Sequence, residues 1–494
     1  MTFHALRSCM LIGLFGWAAA ACSSKTTDLG SPSEPSATAG QGASIDPNAG
    51  GGGGLNLNPG NNAGDAMTHP TLAACPTCQW VDCPAGSPTT VSGIVRTPAK
   101  SNADPLYNAV VYIPSSAVEA FSVGVSCDHC GNVSGNPVAA TLSGTDGKFV
   151  LDGPPVGQNV PLVLQLGRWR RQVVMPEIKA CVDNPLPPEL TRFPRNKSEG
   201  DIPAMGLVSS GYDPEECILR KIGIDDSEFT VPSEAGRIHV FSGLGATLGS
   251  GSQSASPDGW SLWGNPDELK RYDLVILPCT STPEDVYGSG EGGKRASQAA
   301  RAAVAAYANA GGRVFATDLS YTWITEPSSP FAATASWVPD PSQDEPYDVL
   351  QATIDTGFPK GKALGDWLVG IGATVQPESI ELKETYRRSL AVNAPTQRWL
   401  YSTDPASLQT FTFNTPLDAA ADLQCGRVLY SSFHIAGAGS TAPDGDPAEG
   451  TPFPMECDDA PLTAQERLLE FMLFDLASCV QIDTQTPLPP EIIR

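Results

Sequence analysis

The sequence predicts a multidomain chain: a β-sandwich followed by a doubly wound α/β domain that carries a β-rich insertion. Three observations lead there. Short strand-like runs, separated by turn signals roughly every ten residues and without a helical period, fill 89–174. Beyond residue 200, continuous apolar runs alternate with helical ones, the pattern of parallel strands buried on both faces. Gly and Pro make up about a fifth of the 494 residues, against a usual ~12%. Yet 41% of the chain is hydrophobic and nine Trp are present. The excess Gly and Pro therefore belongs to turns and linkers around a sizeable core.

Residues 1–21 read as an export signal. Arg7 precedes an apolar run from Met10 to Ala21, too short for a permanent span and ending in small residues. The run closes on Ala19-Ala20-Ala21-Cys22 ahead of Ser23, which resembles a bacterial lipoprotein signal. That resemblance implies that Cys22 is lipidated and becomes the first residue. The pattern prefers Leu where Ala19 stands, so plain signal-peptidase cleavage is the competing reading. Either way the chain is expected to be exported, to the outer membrane or cell surface, with lipid as its only membrane attachment. Residues 22–72, with Gly50 to Gly54 and Asn58-Pro-Gly-Asn-Asn62, have almost no aromatic or β-branched residues and predict a disordered tether. Some fifty flexible residues reach roughly 40 Å.

The predicted sandwich spans 73–182. Val91 to Arg96 alternates, Leu106 to Ile113 is a strand stopped by Pro114, and Thr145 to Asp152 leads through Gly153-Pro-Pro-Val-Gly157 into Val160 to Gln165. Asp146-Gly147 has the composition of a tight hairpin turn. The order of these runs over Val91–Val174 resembles the carboxypeptidase regulatory-like, or prealbumin-like, β-sandwich, with a cysteine-containing insertion between Ser115 and Asn136. The resemblance implies a non-catalytic spacer or binding module. Arg168, Arg170 and Arg171 around Trp169 read as edge-strand charges that block aggregation.

A Pro-rich connector, 183–200, precedes the second domain, 201–494. Apolar strands are expected at Ile202–Val208, Arg237–Phe241, Asp273–Pro278, Gly312–Thr317 and Gly426–Ser431. Asp213 is placed to cap a short helix over Pro214–Ile222. Ser297 should cap a helix stopped by Gly311-Gly312, and Gln465–Ser478 carries a packing stripe of Leu468, Phe471, Met472 and Leu476. Residues 321–423 break this rhythm and read as the mostly β insertion. The runs "YDLVILPC" (272–279), "AVAAYANAGGRVFATDLS" (303–320) and "GRVLYSSFHIAG" (426–437) resemble a class I glutamine-amidotransferase-like or ThuA-like domain, itself flavodoxin-like. The resemblance places Asp318 where a glutaminase has its nucleophilic Cys. It matches His434 to the catalytic His, with Ala436 where the triad Glu would stand. A carboxylate is a poor nucleophile for an amide, so glutaminase activity is not expected. Asp318 and His434 are then either an acid–base or metal-binding pair at strand ends, where α/β sheets collect ligands, or a turn cap and a satisfied core histidine. Two ligands fall short of a metal site, so no metal and no cofactor is expected. In the second reading, loss of either side chain costs one or two kcal/mol.

Thirteen cysteines are present, including Cys9 in the signal and Cys22. Cys75, Cys78, Cys83, Cys127, Cys130 and Cys181 fall in the first module and read as three internal disulfides, with a metal ribbon built on the two CxxC pairs as the alternative. Cys217, Cys425, Cys457 and Cys479 are candidates in the second domain, leaving Cys279 as the free, buried thiol. A net charge of −24 excludes nucleic-acid binding through a basic face. As a whole the chain resembles myxobacterial-type lipoproteins with this module pair, a resemblance that implies no particular substrate. The expected role is binding or scaffolding, with an envelope protein or carbohydrate as partner. The alternative is a hydrolase acting on a carbohydrate or amide at the Asp318/His434 edge.

Overall fold

Alternation of side chains across a pleated strand decides the layout, because every residue of the central strands is buried on one face or the other. In the computed structural model, residues 72–211, 213–243, 246, 248, 255–279, 297–325, 329–339, 347–435, 457 and 460–493 are described. The export signal, Cys22 and nearly all of the tether lie outside them.

Seven strands come first: β1 (Thr90–Ile94), β2 (Val110–Pro114), β3 (Pro137–Leu142), β4 (Lys148–Asp152), β5 (Gly157–Leu166), β6 (Trp169–Ile178) and β7 (Asp183–Pro185). They form two sheets, ordered β4-β1-β7 and β3-β2-β5-β6. Val91, Phe149 and Leu151 of the first and Val111, Ile113, Leu162 and Leu164 of the second enter one core. Asp146-Gly147 does turn the chain, with Gly147 at φ +69°. It is not a hairpin, however, because β3 and β4 belong to different sheets.

The second set is β8 (Met205–Ser209), β9 (Phe229–Thr230), β10 (Ile238–Ser242), β11 (Leu274–Leu277), β12 (Arg313–Thr317), β13 (Ala335–Trp337), β14 (Tyr347–Ile354), β15 (Ser379–Thr385), β16 (Ser389–Val392), β17 (Gln397–Thr403), β18 (Ala406–Thr415) and β19 (Gly426–Ser431). Its parallel part runs β9-β10-β8-β11-β12-β19. Leaving aside the short β9, this is the doubly wound order 2-1-3-4-5, with a switch point between β8 and β11. The insertion does not form a separate body. Its strands continue the same sheet antiparallel from β19 through β18, β17, β14 and β15.

The two faces of this sheet bury different cores. Val275, Leu277, Val314, Ala316 and Val428 pack with Ala300, Val304 and Ala308 of helix Gln298–Asn309. Leu274, Ile276, Phe315 and Leu429 face the other way, with Leu468, Met472 and Leu476 of helix Ala464–Ala477. That second core is continuous with the core of the N-terminal sheets. Ser297 caps the first helix through Ala300 N. Gly311 follows at φ +116°, and a Cβ there would collide with the Ser126 carbonyl, so the helix ends where the cysteine-bearing segment docks. Thr463 and Glu466 form a capping box on the other helix.

Two expectations about separate modules change here. The Pro-rich connector is built in: β7 pairs with β1, Phe193 is buried against Trp169 and Phe474, and Arg192 is held by Glu189 and Glu199. The Arg168 cluster is not a solvated edge. Arg168 is 7% exposed and bonds Asp273 at 2.8 Å, Asp128 at 2.9 Å and the carbonyl of Ser122 at 2.7 Å. Arg170 is paired with Asp201 and lies over the Phe121 ring. A buried cation must be met by anions, and here they come from both halves of the chain.

The cysteines follow the same logic. Cys75–Cys78 and Cys83–Cys181 stay within the first module, and Cys217 bonds Cys457. Three internal bridges become two, because Cys127 bonds Cys425 and Cys130 bonds Cys479. The two CxxC pairs therefore offer no free thiolates to a metal. Links closing loops of 298 and 349 residues remove much unfolded-chain freedom. Arg168→Ala, which strips the cation from Asp273, a carboxylate with a side chain 10% exposed, should lower the stability measured by urea unfolding by about 3–5 kcal/mol.

Candidate functional site

The carboxyl ends of β8, β11, β12 and β19 line one edge of the sheet, and each releases a polar residue there. Cys279 follows β11, Asp318 follows β12 and His434 follows β19. Asp318 takes φ +34°, a left-handed conformation that turns the chain sharply from the strand into the short helical turn Asp318–Tyr321. An elbow is thus present at the position matched to the glutaminase nucleophile, with a carboxylate on it. Tyr430 donates its hydroxyl to the Asp318 carbonyl at 2.9 Å, holding the elbow from β19.

Asp318 does not cap the turn. Its Oδ1 accepts from Arg388 Nε at 2.5 Å, and Oδ2 faces His434 Nε2 at 3.1 Å and Cys279 Sγ at 3.2 Å. The sulfur, nitrogen and oxygen atoms of Cys279, His434 and Asp318 all lie within 4.8 Å of one another. So the structure brings together both residues singled out as a catalytic pair, and adds the cysteine expected to be inert.

Electrostatics follow from burial and pairing. Burial opposes ionisation of Asp318, but His434 and Arg388 outweigh it and hold the carboxyl below its usual range. Burial also opposes the imidazolium of His434, and contact with Asp318 and Cys279 carries its pKa well above the ordinary value. Burial, reinforced by the Asp318 charge, pushes the Cys279 thiol up, so it stands as S–H and donates to Oδ2. Burial leads in Arg388 too, and is overcome by Asp318.

Around these four sits a second set. Thr317 donates to Asp213 at 2.5 Å and accepts from Cys279 N at 2.8 Å; Asp213 also accepts from Ile435 N at 2.9 Å. Asp213 was expected to cap the helix that the structure sets at Glu216–Lys221; instead it ties β12 to the segment after β19. Tyr386 packs beside the His434 ring at 5.3 Å with a 55° tilt and lies under Arg388. Next to Asp213, Glu215 is 1% exposed and has no hydrogen-bond partner among the described residues, and burial drives its pKa far up.

Sequence reasoning missed Arg388, Tyr386, Thr317 and Glu215. Arg388 lies in the insertion, seventy residues from Asp318, and nothing in "TYRRSL" (385–390) distinguishes it from its neighbour Arg387. Cys279 is singled out by the sequence as the free, buried thiol at the end of its strand, near the same edge, and reads there as inert; the structure buries it unpaired and sets its sulfur against Asp318.

No protein-family model and no curated protein matches the chain. Among solved structures, a cytoplasmic protein of Salmonella typhimurium is 9% identical, with TM-score 0.28, covering 47% of this chain and 88% of its own. A ThuA-like protein from Bacteroides uniformis is 12% identical, with TM-score 0.25, covering 55% and 89%. The β-galactosidase Gan42B is 12% identical, with TM-score 0.22, covering 48% of this chain and 28% of its own. At these TM-scores they are likenesses only.

Asp318→Ala would remove the buried carboxylate that Arg388, 2% exposed, and His434 both face. The expected loss in chemical denaturation is therefore about 3–5 kcal/mol, above the one or two expected of a lost cap. The double variant Asp318→Ala/Arg388→Met should recover part of that loss.

Proposed function

We propose that the chain is an exported, Cys22-anchored envelope lipoprotein that binds or scaffolds, and that its amidotransferase-like, ThuA-like α/β unit is a non-catalytic relic of a flavodoxin-like enzyme fold. The observation that carries this reading is the state of Asp318. Where a nucleophile would stand, the carboxylate is 1% exposed and both its oxygens are engaged, so none is left for a substrate. A cleft of about 580 Å³ lined by Lys100, Asp104, Arg220, Lys221 and Arg467 supports a binding role, since its charged walls suit a polar partner such as an envelope protein or carbohydrate. The continuous core and the two crossing disulfides support a rigid scaffold, the N-terminal part being read as a prealbumin-like sandwich.

A second reading, a hydrolase for a carbohydrate or amide, is favoured by the 3.1 Å contact of His434 with Asp318, within the reach required of acid–base partners. Asp318→Cys should give no glutamine hydrolysis above background in an ammonia-release assay, because triad members act as a unit. If wild-type protein cleaves chromogenic glycosides or amides and His434→Ala abolishes this with the fold intact, the relic reading fails. For the anchor, Cys22→Ala should move the protein from the membrane fraction to the soluble one and end labelling by a palmitate analogue. Unchanged partition and labelling would remove the lipoprotein reading.

A further inference from the structure

We propose that Cys279, Asp318 and His434 form a three-ligand site for a thiophilic divalent transition metal, zinc first among them. The objection to a metal at this edge was a count of two ligands, and the Cys279 sulfur makes three. A tetrahedral zinc with bonds of about 2.0–2.3 Å holds its ligand atoms about 3.3–3.6 Å apart. Asp318 Oδ2 stands 3.1 Å from His434 Nε2 and 3.2 Å from Cys279 Sγ, and all three atoms lie within 4.8 Å of one another. An ion entering among them widens those contacts by only a few tenths of an ångström. Sulfur and imidazole select zinc and its neighbours over magnesium or calcium, which take oxygen ligands.

The surroundings suit a ligand set rather than a plain hydrogen-bond cluster. Asp318 turns one oxygen to the shared point, while its other oxygen is held by Arg388 at 2.5 Å, the kind of outer partner that orients a ligating carboxylate. The ligands follow the carboxyl ends of β11, β12 and β19, neighbouring parallel strands of one sheet. Cys279 is the free thiol among the described residues, ten others being paired as disulfides. Among the described cysteines it is thus the thiol left to bind a metal. Three protein ligands from Cys, His and Asp are a donor set of the kind that catalytic zinc sites use.

The test uses the full chain in detergent, incubated with zinc and dialysed against metal-free buffer, then analysed for metal. The expected result is about one zinc per chain. Cobalt loading should give tetrahedral ligand-field bands and a thiolate-to-cobalt charge-transfer band. Cys279→Ala and His434→Ala should lose the metal and both spectral features while circular dichroism stays native. A metal-free wild-type protein after loading overturns the proposal, as does a cobalt spectrum without the thiolate band. Zinc retained at full stoichiometry by Cys279→Ala overturns it too. If a variant fails to fold, the wild-type cobalt spectrum decides alone. Because it reads metal content rather than turnover, failure here leaves the binding role in envelope scaffolding untouched, and failure of that role leaves the metal result standing.

Discussion

A carboxylate taken wholly out of water stays charged only if the protein surrounds it with cations and donors, and Asp318 imposes that constraint on its end of the sheet. Its partners come from three segments: Arg388 from the insertion, His434 from the chain after β19, and Cys279 from the end of β11. Each must reach the elbow from a different direction. This requirement locates the insertion, because Arg388 can meet Asp318 only if the segment before β16 lies across the strand ends. Tyr386, two residues earlier, is thereby laid between Arg388 and His434.

The same rule governs the body of the protein. Arg427 and Lys360, each 1% exposed, share Asp475 and Asp483, so β19, helix Pro359–Gly370, helix Ala464–Ala477 and the C-terminal segment meet at one buried charge cluster. Arg168 does the equivalent between the N-terminal sheets and β11 through Asp273. Breaking such pairs is costly because the surviving charge has no water to turn to. With one apolar face of the large sheet continuous with the core of the small sheets, these pairs set how the two halves are packed.

Several elements were legible because their cause is local. Ser297 and Gly311-Gly312 bracket a helix through capping and a positive φ, properties of the residues themselves. The apolar runs at β8, β11, β12 and β19 announce strands buried on both faces, and alternation assigns their side chains to two cores. Asp213 misled because an Asp before a helix is ordinarily a cap, while here the Thr317 hydroxyl of β12 and the Ile435 amide after β19 compete for it and prevail. Arg168 and Arg170 misled for a related reason: a charge run reads as solvated unless its counter-ions, Asp273 and Asp201 at 105 and 31 residues away, are known.

By itself the sequence determined the alternation of strands and helices, the limits of the low-complexity segment, the odd cysteine and the two strand-end residues Asp318 and His434. The strands, helices and low-complexity limits follow from periodicity and composition and the odd cysteine from a count, all local properties, whereas Asp318 and His434 follow from the resemblance of their segments to an amidotransferase-like domain. Only the tertiary structure decided that the insertion extends the central sheet, that Cys127 and Cys130 bond across to Cys425 and Cys479, and that Cys279 and Arg388 converge on Asp318. Those are contacts between segments far apart in the chain, selected by which arrangement leaves no buried charge unpaired and no apolar face exposed. No local pattern encodes that selection, because it is made by the whole fold at once.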